Sequence, residues 1–188
     1  MTAKTKTSKR EAILDAMLDV AVERGLHEAP MSLVAKRAGA SPGVIYHHFA
    51  SKDAIIQALY ERIRSRKVSS ILAGYTPGMD DREAFLLTSI NTYRFYRKHR
   101  KETRFLEQVH AIGLVCQPAA AGEKSEAQIA MEKRFCARSK GGVFADLPQD
   151  VIHELTMGLA TRLAAAPRKL TDEELLSLAA RMWTALTQ

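Results

Sequence analysis

Cysteine is nearly absent from this chain. Cys116 and Cys136 are the two present, and they lie far apart in sequence. That excludes a disulfide framework and the paired spacing of a zinc site, and it suits a reducing cytosol. No apolar run approaches the length of a membrane span, and the opening M-T-A-K-T-K-T-S-K-R lacks the apolar stretch of a signal peptide. Strand-like alternation, internal repeats and low-complexity tracts are missing too. So are the signatures of catalysis: no glycine loop follows a strand, no His-x-x-x-His or Cys-x-x-Cys pair occurs, and no Ser–His–Asp order stands out. The adjacent carboxylates Asp80/Asp81 and Glu173/Glu174 read as helix-start charges. These absences predict a soluble cytoplasmic protein that is no enzyme and needs no metal or cofactor.

What is present is helical periodicity from end to end, on a chain of 188 residues that can bury a real core. The net charge of +7 is unevenly spread: residues 1–67 hold twelve Lys/Arg against seven Asp/Glu, the remainder sixteen against fourteen. An excess of +5 on the first third suits a phosphate-binding surface, although a solvated basic face explains it equally well. Ser8 and Glu11 form a capping box for a helix with Ile13, Leu14, Met17, Leu18, Ala21 and Val22 on its apolar face, ended by Gly25. Ser51 caps a fourth helix that can run to about Leu72, and G-Y-T-P-G breaks the chain after it. Further helices are expected at about 81–99, 102–115, 125–139 and 148–165. A last one opens with the capping box Thr171 and Glu174 and carries Leu175, Leu178, Met182 and Leu186.

The richest string is S-L-V-A-K-R-A-G-A-S-P-G-V-I-Y-H-H-F-A-S-K-D, Ser32 to Asp53. A short helix from Pro30 to Ala38 is stopped by Gly39, which enters the left-handed region at little cost. Ser41 then caps, and Pro42 presets φ at the first position of a helix of under two turns. This is the pattern of a helix-turn-helix, whose second helix can lie in the DNA major groove. Gly43 lets backbone approach bases or phosphates, Pro42 and Val44 offer apolar contact to thymine methyls, and Tyr46 supplies a hydroxyl and a ring edge. His47 and His48 are neighbours and so diverge in direction. Lys52 adds charge beside the free N–H groups of a helix start.

The same residues carry a resemblance. Ala35 to Gly39, Ser41, Gly43, Tyr46 to Phe49 and Ser51 to Asp53 resemble the DNA-binding domain of TetR-family (tetracycline-repressor-like) transcriptional regulators. The resemblance covers about the first third of the chain. It implies an all-α fold of about nine helices: an N-terminal three-helix helix-turn-helix domain, then a helical ligand-binding and dimerisation domain. The corresponding boundaries are 1–51 for the arm and DNA-binding domain, 52–76 for a connecting helix and loop, and 77–188 for the second domain. It implies a homodimer on a pseudo-palindromic DNA operator, acting as a repressor released by a small-molecule effector. It puts Pro42, Gly43 and Tyr46 at base-reading positions and His47, His48 and Lys52 at backbone-contacting ones. Where many relatives place Thr or Ser before the second helix, this chain has Ala29 and Pro30, leaving Ser32 as the alternative phosphate contact.

In the second domain, Phe85, Tyr93, Tyr96, Phe105 and Phe135 are candidate ligand contacts. Arg94, Glu107, His110 and Arg162 are polar groups beside apolar stripes that can orient a ligand if they face inward. Ordinary core packing explains most of the aromatic residues in this set. The basic run from Arg94 to Arg104 reads as a solvated helix end, and Gly158, Ala160, Ala164 and Ala165 permit close helix approach at a dimer interface. Two further readings stay open at this point: a redox-sensing regulator switched by Cys116 or Cys136, and a helical interaction adaptor without DNA binding.

Overall fold

The structure is a computed structural model that describes residues 8–112, 124–135, 142–144 and 147–187. Among these residues every regular element is helical, giving nine helical rods and no strand. They are α1 (Lys9–Arg24), α2 (Met31–Ala38), α3 (Pro42–His48), α4 (Lys52–Ile71), α5 (Asp81–Lys98), α6 (Arg100–Ala111), α7 (Glu126–Phe135), α8 (Gln149–His153), α9 (Leu159–Ala165) and α10 (Asp172–Thr187). A π-helical turn, Glu154–Gly158, joins α8 to α9 as one rod. No helix among the described residues is long and apolar enough to cross a membrane.

The chain divides into two compact units: Met1–Arg64 with Lys101–Ala119, and Ser65–Arg100 with Ala120–Gln188. The first is built on Ile13, Leu14, Met17, Val20, Val34, Ile45, Ile55, Leu59 and Ile63, together with Phe105, Leu106 and Val109 of α6. Helix α6 therefore packs with the helix-turn-helix, whereas a boundary at 77 groups it with the second domain. The reason is its narrow apolar stripe, which meets the α1 face. Gln108 donates to the Ala21 carbonyl at 3.1 Å, and the Lys101 ammonium meets Asp19 at 2.6 Å. Arg62 of α4 holds Glu11 and Asp15 of α1, each at 2.8 Å. Glu11 is thus spent on arginine, while Ser8 accepts the Glu11 N–H as a simple cap.

In the second unit α5 packs against α9 and α10. One core joins Phe85, Leu86, Phe144, Ile152, Ala179 and Leu186; another joins Tyr93, Phe95, Tyr96, Ala160, Ala164 and Leu175. The basic run starting at Arg94 is more than a solvated end. Arg97 donates to the Ala164 carbonyl at 2.9 Å and the Pro167 carbonyl at 3.0 Å, satisfying orphan groups at the end of α9. Arg94 pairs with Asp172 at 2.8 Å. The capping box at α10 is reciprocal: Glu174 N–H donates to the Thr171 hydroxyl at 3.2 Å, and Thr171 N–H donates to the Glu174 carboxylate at 2.9 Å. Ala160 and Ala164 are consumed by packing inside the chain, while Ala165 stays exposed.

Candidate nucleic-acid interface and ligand cavity

Local chemistry sets the geometry of α3. Gly39, at φ 56° and ψ 40°, is the left-handed stop after α2. The Lys9 ammonium of α1 donates to its carbonyl at 2.9 Å and so braces the turn. Ser41 accepts the Val44 N–H at 3.3 Å, and Pro42 opens the helix. Ile45 and Phe49 enter the core and anchor α3 by one face. The other face is bare: Ser41, Pro42, Gly43, Val44, Tyr46, His47 and His48 are all exposed, Tyr46 to 57%. An apolar side chain and a phenol left in water on a seven-residue helix leave its outer face available to a partner.

Gly43 sharpens that reading. A Cβ there would meet only the Ser41 hydroxyl, at 4.0 Å, so nothing inside the fold requires glycine. The bare backbone faces outward. His47 and His48, expected to diverge, instead touch edge to face with ring centres 5.4 Å apart, because imidazoles on neighbouring positions can swing toward each other. The Lys52 ammonium donates to the His27 carbonyl at 2.8 Å, which fixes the charge at the start of α4. Ser51 caps that helix by accepting the Ala54 N–H at 3.1 Å. Ala29 is buried, and α2 opens on Pro30 with no side-chain cap; Ser32 is exposed in its first turn. Arg37 of α2 grips Glu23 of α1 at 2.8 Å, and this hydrogen bond holds the Glu23 carboxyl below its ordinary value and raises Arg37.

The sequence-predicted ligand residues separate. Phe85, Tyr93 and Phe135 line a cavity of about 210 Å³ in the second unit, along with Ile71, Thr88, Thr92, His153, Thr156 and Met157. Tyr96 is buried nearby with its hydroxyl at the Met157 sulfur, off the wall. Arg94 and Arg162 do not face inward: both are exposed, paired with Asp172 and with Glu154. Phe105 is fully buried in the core of the first unit, and Glu107 and His110 are exposed on the same helix, α6. Helical spacing gave these residues an inward or outward face but not which core the face meets. The threonines on the wall were not anticipated. Their signal is the i, i+4 pair Thr88 and Thr92 in the apolar stripe of α5. Cys116 and Cys136 lie outside the described residues.

Comparison with known proteins bears on each unit differently. The family profile described as bacterial regulatory proteins, tetR family, matches residues 13–59. The transcriptional regulator UidR of Escherichia coli K12 is 40% identical over 60 residues, which are 32% of this chain and 31% of UidR. BetI of Klebsiella pneumoniae is 36% identical over 64 residues, 34% of this chain and 33% of BetI. These alignments span about a third of the curated relatives. A TetR-family regulator from Haemophilus influenzae superposes over 98% of this chain and 100% of its own, with a TM-score of 0.73 at 22% identity. One from Marinobacter aquaeolei covers 95% of each chain at a TM-score of 0.71 and 20% identity. Residues 13–59 thus carry the sequence pattern of tetR-family regulatory proteins, and the chain as a whole has the fold of these TetR-family structures.

Proposed function

We propose that this chain is a sequence-specific DNA-binding repressor, released from its operator by a small molecule that occupies the cavity of the second unit. The observation that carries the reading is the outer face of α3. Tyr46, Val44 and Gly43 stand in solvent on a helix whose opposite face is locked into the core. Pro42, Gly43, Val44 and Tyr46 read base edges, with little polar readout among them, so groove shape carries part of the specificity. Ser32, Ser41, His47, His48 and Lys52 contact phosphates and set the register.

A single α3 of seven residues is too short to hold a site alone, and two of them related by a two-fold axis read successive major grooves. The exposed apolar residues Val151, Leu155 and Leu176, on the rod of α8 and on α10, support a homodimer through these helices. Helix α4 carries Lys52 at one end and the cavity residue Ile71 at the other. A ligand acts through that helix only if it favours one setting, since equal affinity for both shifts nothing. The test is anisotropy of labelled duplex from the protein's own promoter, titrated with protein at rising salt, alongside sedimentation. A dimer whose promoter affinity falls steeply with salt is expected. A monomer at micromolar concentration, or no promoter binding, rejects the reading.

A further inference from the structure

The cavity wall has a chemistry of its own. Among the described residues it carries no Asp, Glu, Lys or Arg. Its threonines are oriented away from a ligand's acceptors. Thr88 donates its hydroxyl hydrogen to the Ala84 carbonyl at 2.8 Å, Thr92 to Thr88 at 2.7 Å, and Thr156 to Ile152 at 2.6 Å. Each hydroxyl therefore offers lone pairs to the cavity while its hydrogen is held by its own helix. Thr88 and Thr92 are nearly closed to solvent, at 8% and 3% exposure. Thr156 sits in the π-helical turn, a geometry that recurs at functional sites.

The aromatic groups do not make a cage for a cation. Phe85, Phe135 and Phe144 pack on one another, with ring centres 5.7 to 6.1 Å apart, so their faces are largely occupied by each other. A charged ligand entering here loses its hydration and gains no counter-ion from the described residues of the wall, a cost that ordinary apolar contact does not offset. His153 is the one imidazole on the wall, and it is exposed at the solvent edge. The volume, about 210 Å³, exceeds the roughly 150 Å³ of a dry cavity that admits a benzene ring.

We propose that this cavity selects an uncharged, mostly apolar molecule bearing a hydroxyl or similar hydrogen-bond donor, and rejects carboxylates and ammonium ions of the same skeleton. The donor is received by the hydroxyl oxygens of Thr88, Thr92 and Thr156. This rests on the reading of the second unit as the effector domain of a regulator, and it adds the chemical class of the effector.

The experiment uses the full-length protein at mildly alkaline pH, with octanol, octanoate and octyltrimethylammonium as probes. Trp183, the one tryptophan in the chain, lies against Phe85 and Phe144, with ring centres 5.6 and 6.1 Å away, and reports occupancy by its fluorescence. Octanol is expected to bind at least about tenfold more tightly than either ion. Ala179→Phe, which fills the cavity, should remove octanol binding. Thr92→Val, which keeps the shape and removes the acceptor, should weaken it severalfold in a protein with unchanged circular dichroism. The proposal is overturned if either ion binds as tightly as octanol, if octanol does not bind the folded protein, or if folded Thr92→Val retains full octanol affinity. Promoter-duplex binding on the same samples separates the two readings. Intact DNA binding without octanol preference rejects the cavity chemistry alone, whereas absent DNA binding rejects the regulator.

Discussion

The two units expose opposite kinds of surface. The first puts its distinctive residues outside: Gly43, Val44 and Tyr46 stand in water on a short helix. The second puts them inside, around a cavity whose threonines have turned their hydrogens to the backbone. An outward site is written in consecutive residues, because one helix supplies it. An inward site is assembled from α4, α5, α7, α8, α9, α10 and the π turn, so no stretch of sequence contains it.

The largest effect that tests this contrast comes from two phenylalanines that sequence reading grouped together. Phe105→Ala should cost about 3–5 kcal/mol, as large-to-small changes at fully buried aromatic sites do, and should lower promoter binding with it. Phe85→Ala borders space that is already empty. It should cost less, leave promoter binding in the absence of ligand unchanged, and alter octanol affinity. Chemical denaturation and DNA titration of both variants check this. Equal costs and equal DNA phenotypes would break the assignment of Phe105 to the first unit.

That pair also marks how far the sequence was legible. The helix-turn-helix was readable to within a residue or two, since its stops and caps are local: Gly39, Ser41, Pro42 and Ser51 act on their immediate neighbours. So were the last capping box and the inward positions Leu175 and Leu186. Which core each inward face joins is set by packing between distant segments. Phe105 and Phe85 look alike on a helical stripe and end in different units. Arg94 and Arg162 sit beside apolar stripes yet reach outward to Asp172 and Glu154, because a guanidinium extends far enough to leave the apolar surface.

A smaller effect isolates interface from scaffold. Gly43→Ala has room for its methyl and should raise stability by roughly 0.5–1 kcal/mol through helix propensity. The same methyl stands between backbone and DNA, so promoter affinity should fall while stability rises. Thermal melts and anisotropy on one preparation read both. A variant that gains stability and keeps full affinity would remove Gly43 from the interface.

The smallest expected effect compares one surface ion pair from each unit. Arg37 lowers the Glu23 carboxyl from its ordinary value of 4.5, and Arg94 lowers Asp172 from 3.8, each chiefly through a hydrogen bond. A depressed carboxyl stabilises the fold above its unfolded value and loses that contribution as pH falls through its folded value. Both pairs are exposed, so their contributions are small. Melting temperatures of Glu23→Gln and Asp172→Asn should lie slightly below the parent at neutral pH and converge with it under acid. A gap that widens on acidification would contradict the sign.

The central claim, that α3 reads bases, is tested most directly by the ratio of affinities for promoter and scrambled duplex across a salt series. The parent should prefer the promoter by a factor on the order of a thousand or more. Tyr46→Ala, altering an exposed side chain, should lose about 1–3 kcal/mol of that preference and leave scrambled-DNA affinity nearly unchanged. Lys52→Ala should weaken both duplexes alike and reduce the salt slope by about one. Equal losses on promoter and scrambled DNA for Tyr46→Ala would contradict base reading by this helix.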